Sequence, residues 1–313
     1  MNKSATRPLK IGIFLPFAEY MMDRQTPRWS DLLTMTQRAE MLAFDSVWLG
    51  DHLFARFPEP QDWLDGHTIA GAWDCWSLLA AVAAVTTRIA IGPLVACTSF
   101  HNPALLAKKA ATVEEISGGR LILGLGAGWM EAEYHAFVFP FDHRVSRFEE
   151  ALTIIRTLLR DGHIDFDGSY YQARECELRP RGPRAAGPPI LIGSVSPRML
   201  RLAARHADQW NGWIPDRSRV EEVAPPRRLV DAACAEVGRN PATQERTVTI
   251  SVNPTEQRGS ADRGTLTGSP EILADALRAF AREGISHIQI SFEPMTLASI
   301  EAFAPTLELL DRV

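Results

Sequence analysis

Short apolar runs alternate along the chain with longer segments whose apolar residues recur about every 3.6 positions. The short runs are typical of buried strands, and the longer segments are typical of helices that cover them. The predicted strands are Lys10–Pro16, Ser46–Gly50, Arg88–Val95, Arg120–Gly128, Pro189–Gly193, Asp208–Trp213, Arg246–Val252 and Ser286–Phe292. The predicted helices include Leu32–Leu42, Leu105–Ile116, Phe148–Leu159, Met199–Ala207 and Ile272–Ala281.

Polar residues, proline and glycine mark where these segments begin and end. Asn102-Pro103 and Ser269-Pro270 fit an N-cap followed by proline, and Gly118-Gly119 and Gly284 fit left-handed caps. Proline- and glycine-rich stretches at 57–71, 179–189 and 253–270 are predicted loops. Eight strands that alternate with helices favour parallel βαβ units, and the count favours a closed (β/α)8 TIM barrel over an open doubly wound sheet. The whole chain, 1–313, is expected to form a single barrel domain with loop insertions at its C-terminal face.

Composition narrows the class of protein. The chain has 313 residues, is 46% hydrophobic and carries a formal net charge of -5, so nothing indicates a nucleic-acid or anionic-membrane partner. The amino-terminal residues lack the apolar core of a secretory signal, and no apolar run is long enough to span a bilayer. The four cysteines form no C-x-x-C pair. A cytoplasmic globular protein with reduced thiols is expected.

In such a barrel the functional residues follow the carboxyl ends of the strands. The second predicted strand, in "DSVWLGDHLF", changes at Gly50 from apolar residues to Asp51-His52. Histidine is well matched to proton transfer near neutrality, so His52 is a candidate catalytic residue. A hydrogen-bonded structural role is the alternative from the residues alone.

Two further strand ends are candidates for ligand binding. "LGLGAGWMEAEY" is rich in glycine but lacks the G-x-G-x-x-G spacing of a dinucleotide site. It either lets a flat ligand approach the backbone or only packs a tapered barrel. In "ILIGSVSPRM", the amides at a helix N-terminus, with Ser194, Ser196 and Arg198, predict a phosphate site. A simple N-cap is the alternative there.

Aromatic side chains near the first strand ends indicate the chemistry of a substrate. Trp48, Trp73 and Trp129 are candidates for the wall of a pocket that binds an apolar or aromatic molecule, and core packing is the alternative. None of the eight histidines forms H-x-H or H-E-x-x-H, so no metal site is predicted.

Several long segments together resemble the bacterial luciferase-like flavin and deazaflavin oxidoreductases. These are "FDSVWLGDHLF", "TSFHNPALLAKKAATVEEISGGRLILGLGAGWMEAEYHAFVFPF", "RFEEALTIIRTLL" and "PPILIGSVSPRMLRLAARHADQWNGW", and "GSPEILADALRAFAREGISHIQISF" also fits. The family fold is a (β/α)8 barrel. Within the family the sequence is most similar to the branch that uses the deazaflavin coenzyme F420.

The resemblance implies an F420-dependent oxidoreductase that transfers a hydride to or from a small organic substrate. It implies that His52 is the acid or base, and that a non-proline cis peptide joins Leu94 and Val95 behind the cofactor ring. The implied cofactor-binding residues are Asp51, Leu94, Val95, Cys97, Ala127, Gly128, Ser194, Val195, Ser196, Arg198 and Met199. Dimers are common in the family, so a homodimer is also implied, although the sequence indicates no interface.

Two departures bear on the substrate. The sugar-phosphate dehydrogenases of this family have an acidic residue after the glycine pair, whereas Trp129 follows Gly128 here, and no cationic cluster for a substrate phosphate is evident. A reduced-FMN-dependent monooxygenase, supplied by a separate cofactor-reducing enzyme, is the second interpretation, and a non-catalytic flavin-binding protein is the third. A basic rim beyond Arg198, including Arg181, Arg184 or Arg201, would favour the longer anionic tail of F420.

Overall fold

The computed structural model describes residues 7–214, 218–255 and 264–312. The strands are β1 (Lys10–Phe14), β2 (Ser46–Leu49), β3 (Phe54–Arg56), β4 (Ile69–Gly71), β5 (Ala90–Pro93), β6 (Ala96–Cys97), β7 (Leu123–Gly126), β8 (His163–Asp167), β9 (Gln172–Glu177), β10 (Ile190–Gly193), β11 (Gln209–Trp213), β12 (Glu245–Asn253), β13 (Leu266–Thr267) and β14 (His287–Phe292). The helices are α1 (Trp29–Met41), α2 (Cys75–Val85), α3 (Pro103–Ile116), α4 (Glu131–Ala136), α5 (Arg144–Asp161), α6 (Pro197–His206), α7 (Ala224–Glu236), α8 (Pro270–Arg282), α9 (Leu297–Ala302) and α10 (Ala304–Leu310).

Each of the eight predicted strands and five predicted helices is present, with small shifts at the ends. The local signals are confirmed as well. The side chain of Asn102 accepts a hydrogen bond from the Leu105 amide at 3.1 Å, and that of Ser269 accepts one from the Ile272 amide at 3.5 Å. Gly118 and Gly284 adopt φ values of 63° and 82°. These caps depend on neighbouring residues only, so the sequence predicts them well.

The chain divides into two compact units by its internal contacts. Residues 17–19 and 49–192 form one, called here the β7 unit. The remaining described residues form the other, called here the β12 unit. The expectation of a single domain stays a prediction.

In the β12 unit, parallel strands pair in the order β2, β1, β14, β12 and β11. Their isoleucines are fully buried, for example Ile13, Ile250 and Ile290, which lie in register across three strands. A layer of buried polar side chains lies among these strands. Asn211 Nδ2 donates to Gln289 Oε1 at 2.9 Å and to Thr247 Oγ1 at 3.0 Å. This part of the core is therefore held by specific hydrogen bonds as well as by apolar packing.

In the β7 unit, β7 lies between β6 and β10, and all three are parallel. A parallel bridge between Ile91 and Leu121 adds β5 beside them. Two antiparallel hairpins, β3–β4 and β8–β9, were not predicted. The first occupies much of the predicted loop 57–71, whereas the second follows α5 and precedes β10 along the chain. Residues 256–263 of the predicted loop 253–270 lie outside the described residues.

Within the described ranges, no helix combines the length and the apolar character that crossing a membrane requires.

Candidate active site

Asp51 lies just beyond the end of β2 and is 6% exposed. Its Oδ2 accepts hydrogen bonds from the Cys97 amide and from His101 Nε2, both at 2.9 Å. Its Oδ1 accepts none from the residues that the structure describes. The carboxylate is therefore held in a fixed orientation through one oxygen while the other stays available to a ligand.

His52, the next residue, is held by a buried carboxylate. Its Nδ1 lies 3.0 Å from Glu133 Oε2. The imidazole is stacked on Phe17 at 6.2 Å between ring centroids, and it forms a T-shaped pair with Trp129 at 5.9 Å between centroids. Its side chain is 29% exposed, and Nε2 has no hydrogen-bond partner among the described residues. With Nδ1 donating to the carboxylate, a neutral His52 presents its lone pair on Nε2.

Glu133 on α4 holds more than the histidine. Its side chain is 1% exposed, and its Oε1 accepts the backbone amides of Leu53 at 2.6 Å and Phe54 at 3.3 Å. One carboxylate thus fixes three consecutive residues, 52–54, at the point where the chain leaves the β2 strand. Glu133 lies in the first turn of α4, which residues 127–130 connect to the glycine-rich end of β7.

Cys97 and Tyr134 form a neutral wall next to Asp51. The Cys97 sulfur lies 3.2 Å from the Tyr134 hydroxyl, which donates to the Ala127 carbonyl at 2.7 Å. Burial raises the pKa of Cys97 to about 12 and also raises the pKa of Tyr134. Both groups therefore stay protonated near neutral pH, so Cys97 can line a ligand but is not an activated nucleophile.

Glycine is required where the chain passes this wall. Gly128 has a φ of 73°, and a Cβ there would overlap the Tyr134 hydroxyl and the Cys97 sulfur. Its carbonyl accepts from Arg144 at 2.7 Å. The predicted cis peptide between Leu94 and Val95 is present. The Val95 side chain fills the space that a Cβ on Gly126 would need.

The predicted tail-binding residues lie in the β12 unit, at the amino end of α6. The Ser194 carbonyl accepts from Trp210 Nε1 at 2.7 Å, and the Ser194 hydroxyl accepts from the Ser196 amide at 3.2 Å. Ser196 precedes Pro197 but its hydroxyl does not cap the helix. Val195 is 59% exposed, whereas Met199 is buried. Arg198 is exposed on the first turn of the helix.

The three predicted pocket tryptophans lie in different environments. Trp48 is fully buried, and its Nε1 donates to the Ser46 hydroxyl at 2.7 Å, which is a core position. Trp73 and Trp129 are 45% and 67% exposed. The surface of a ligand can therefore contact Trp73 and Trp129 directly, and Trp48 only if the core opens.

The arginines proposed for a basic rim have other partners. Arg181 Nη2 donates to the carbonyls of Leu159, Arg160 and Ala185, and Arg184 forms an ion pair with the buried Glu114. Both side chains therefore secure the connection between β9 and β10. Arg201 lies 3.9 Å from Glu236.

Sequence reasoning missed Glu133, His101 and Tyr134. Glu133 and His52 are 81 positions apart, and His101 and Asp51 are 50 apart. The only local signal is that Glu133 and Tyr134 lie on the short helix after a glycine-rich strand end, and that His101 precedes the cap of α3. Their partners follow from the fold and not from spacing.

A family model described as luciferase-like monooxygenase matches residues 9–265. The chain belongs to this family. A relative from Mycobacterium tuberculosis, phthiodiolone/phenolphthiodiolone dimycocerosates ketoreductase, is 28% identical to this chain. The aligned region covers 88% of this chain and 75% of the relative. The F420-dependent hydroxymycolic acid dehydrogenase of the same organism is 31% identical over a region that covers 74% of this chain and 59% of the dehydrogenase.

The predicted luciferase-like (β/α)8 barrel is confirmed by solved structures. An F420-dependent secondary alcohol dehydrogenase, in complex with an F420-acetone adduct, has a TM-score of 0.77 and 19% sequence identity. The likeness covers 96% of this chain and 99% of that one, and at this identity it shows the fold alone.

Proposed function

We propose that the protein is an F420-dependent oxidoreductase that transfers a hydride between the cofactor and a small apolar or aromatic carbonyl compound or alcohol. The observation that carries this proposal is the pair of residues after β2. Asp51 offers an open carboxylate oxygen, and His52 offers an open Nε2 fixed by Glu133. Relatives that are F420-dependent, or that are named as a ketoreductase or a dehydrogenase, support the reaction type.

The residues of the β7 unit fit the face of a flat ring system. Asp51 Oδ1 can accept a hydrogen bond from an N–H group of the ring. The other residues proposed to contact the ring present backbone atoms and uncharged side chains; they are Leu94, Val95, Cys97, Ala127 and Gly128. In the β12 unit, Ser194, Val195, Ser196, Arg198 and Met199 are the residues proposed to bind the phosphate of the cofactor. When bound, the reduced deazaflavin supplies the hydride.

His52 donates or accepts the proton that accompanies the hydride. In the direction of reduction, the carbonyl carbon gains the hydride and its two electrons, and the oxygen gains a proton from Nε2 of protonated His52. In the direction of oxidation, neutral His52 accepts the hydroxyl proton at the same atom. Glu133 keeps the imidazole oriented and stabilises its positive charge in both directions. Trp129 and Phe17 limit the access of water to the ring.

The reduced-FMN monooxygenase is the second candidate, and one observation favours it. The guanidinium groups of Arg181 and Arg184 are already engaged, Arg181 by three backbone carbonyl groups and Arg184 by Glu114, so a long anionic tail would have to compete with these contacts. FMN has a single phosphate, for which Ser194, Ser196 and Arg198 suffice. A separate enzyme would then supply the reduced cofactor. A homodimer and a cytoplasmic location also belong to the proposal.

Titration of the purified protein with each cofactor, reduced and oxidised, tests the proposal. We expect F420 to bind more tightly than FMN, and we expect reduced F420 to be oxidised by a ketone without oxygen. The variant His52→Gln should bind F420 normally and turn over more slowly, whereas the control His135→Gln, at a residue with a 69% exposed side chain, should match the wild type. Binding of a cofactor without any hydride exchange would instead favour a non-catalytic flavin-binding protein.

A further inference from the structure

A row of apolar side chains runs from the residues fixed by Glu133 onto the surface of the β7 unit. Phe54 stacks with Phe137 at 6.3 Å between ring centroids, and Phe137 stacks with Phe139 at 6.4 Å and an interplanar angle of 6°. Val138 lies between the last two along the chain. These four residues, Phe54, Phe137, Val138 and Phe139, are called here the apolar track.

We propose that the apolar track binds the long alkyl chain of the substrate. This inference rests on the proposed function and adds to it the class of substrate, a ketone or secondary alcohol that bears an extended hydrocarbon chain. The chain would lie over the track while its oxygen-bearing carbon lies at His52.

The conformation of the turn at Val138 supports a role in binding. Val138 is 89% exposed and Phe137 is 52% exposed. Val138 also has a φ of 60°, a left-handed conformation in which a β-branched residue is strained. Glycine or asparagine would fit this position without that strain. The left-handed backbone at Val138 closes the C-terminus of α4, where the Phe139 amide donates to the Tyr134 carbonyl at 2.8 Å. The backbone therefore has a role in the fold, but the exposed valine side chain does not need to be there, and a contact with an apolar ligand is the role proposed for it.

Glu133 connects the track to the catalytic histidine. Its side chain fixes His52 and accepts the Phe54 amide, while its backbone carbonyl accepts the Phe137 amide at 3.1 Å. Both ends of the Phe54–Phe137 stack are thus bound to the residue that orients the imidazole. The track is therefore held in a fixed position relative to His52, as chain-length selection by a catalytic site requires.

The far end of the track lies at the β3–β4 hairpin, where it meets one charged and one apolar side chain. Arg56 lies over the Phe54 ring at 5.7 Å, and Ile69, its partner across the β3–β4 hairpin, is 44% exposed. The guanidinium carbon is the atom over the ring, so a cation–π contact covers one face of Phe54, and the exposed side chain of Ile69 adds apolar surface to the hairpin.

The size of the expected effect follows from hydrophobic burial. A methylene group that is fully transferred from water gains about fourfold in affinity, so one that lies on an open surface gains about twofold. From 2-butanone to 2-decanone, six methylenes are added. The ratio of kcat/KM between these two ketones should therefore be about 60-fold.

The test measures this ratio and, separately from turnover, the binding of 2-decanol by calorimetry. The variants Phe137→Ser and Val138→Gly should reduce the ratio by about tenfold and weaken the binding of 2-decanol. Val138→Gly should do so with an unchanged or higher Tm, because it removes the strain. The control Leu105→Ser, which removes an exposed apolar residue of α3, should leave both quantities unchanged.

Each outcome separates this inference from the proposed function. Binding of 2-decanol that depends on Phe137, without turnover by either cofactor, would support the track and contradict the proposed function. Turnover with no dependence on chain length in the wild type would overturn the track alone. A dependence on chain length that is found only with phosphatidylcholine vesicles, and not with dispersed ketones, would also overturn it, since the surface would then contact a membrane.

Discussion

His52 Nδ1 and Glu133 Oε2 lie 3.0 Å apart, and the glutamate side chain is almost completely buried. The same carboxylate accepts the amides of Leu53 and Phe54, so it positions the imidazole and the backbone that follows it. We infer that the geometry of the reactive nitrogen depends on Glu133 as much as on His52 itself.

Replacing Glu133 with glutamine should reduce kcat by about 10-fold to 100-fold, because the amide keeps the shape but cannot stabilise the charged imidazole. The Kd for the cofactor should change little. Steady-state kinetics and a fluorescence titration measure the two quantities. The matched control is Glu131→Gln, on the same helix with a 58% exposed side chain. A full kcat in Glu133→Gln would show that Glu133 is structural only.

Replacing Gly128 with alanine should destabilise the fold more than the same change at Gly118. Both glycines have positive φ values, 73° and 63°, but a Cβ meets the Tyr134 hydroxyl and Cys97 sulfur at Gly128 and nothing within 4 Å at Gly118. The conformational cost, about 1 kcal/mol, is common to both. The overlap adds about 1–3 kcal/mol at Gly128 alone. Chemical denaturation of the two variants measures the difference, and equal losses would contradict the packing described.

Cys97 should resist alkylation in the folded protein. Burial raises its pKa to about 12, so the thiolate fraction at pH 8 is about one part in ten thousand. Cys176 is partly exposed and serves as the internal control. Iodoacetamide labelling followed by mass spectrometry should modify Cys176 while Cys97 stays unmodified until the protein is unfolded. Equal labelling rates for Cys97 and Cys176 in the folded protein would contradict the burial and the protonated state of Cys97.

The stability of the β12 unit should fall as the solution becomes acidic. Burial lowers the pKa of His287 to about 3, whereas an unfolded histidine titrates near 6.5. Between these values the unfolded chain binds a proton that the folded chain excludes. The free energy of unfolding therefore decreases as pH falls from about 6.5 toward 3, by up to about 1.4 kcal/mol per pH unit.

His287→Gln should remove this component of the pH dependence, because the buried imidazole accounts for it. Ser46 Oγ receives the indole N–H of Trp48 and lies 2.7 Å from His287 Nε2, which fits a neutral ring that accepts the hydroxyl proton. Urea denaturation between pH 4 and 7 measures the slope. The variant His135→Gln, at an exposed histidine, should keep the wild-type slope. If the free energy of unfolding of His287→Gln keeps the wild-type dependence on pH, another titrating group causes that dependence.

The sequence predicted the elements of the fold better than the partners within the site. The eight strands and the caps at Asn102 and Ser269 depend on apolar periodicity and on neighbouring residues, and all are confirmed. The hairpins β3–β4 and β8–β9 were missed because their strands are short and partly exposed, so proline, glycine and polar residues dominate the pattern.

Within the site, the Asp51-His52 pair is evident from the change at the end of a strand. Glu133 and His101 are not evident, since they become neighbours of these residues only when distant segments meet. Trp48 shows the same limit: all four residues of β2 are buried, and Trp48 lies in the core, where its Nε1 donates to the Ser46 hydroxyl. Burial depends on the residues that cover a strand, and a single strand does not reveal them.

Anaerobic mixing of the protein with reduced F420 and a ketone tests the central claim most directly. The absorbance of oxidised F420 reports hydride transfer without oxygen. We predict that it returns in proportion to the alcohol formed, and that His52→Gln slows it about 100-fold or more at an unchanged Kd for the cofactor. No oxidation of F420 under these conditions, with product formed only from reduced FMN and oxygen, would contradict the account.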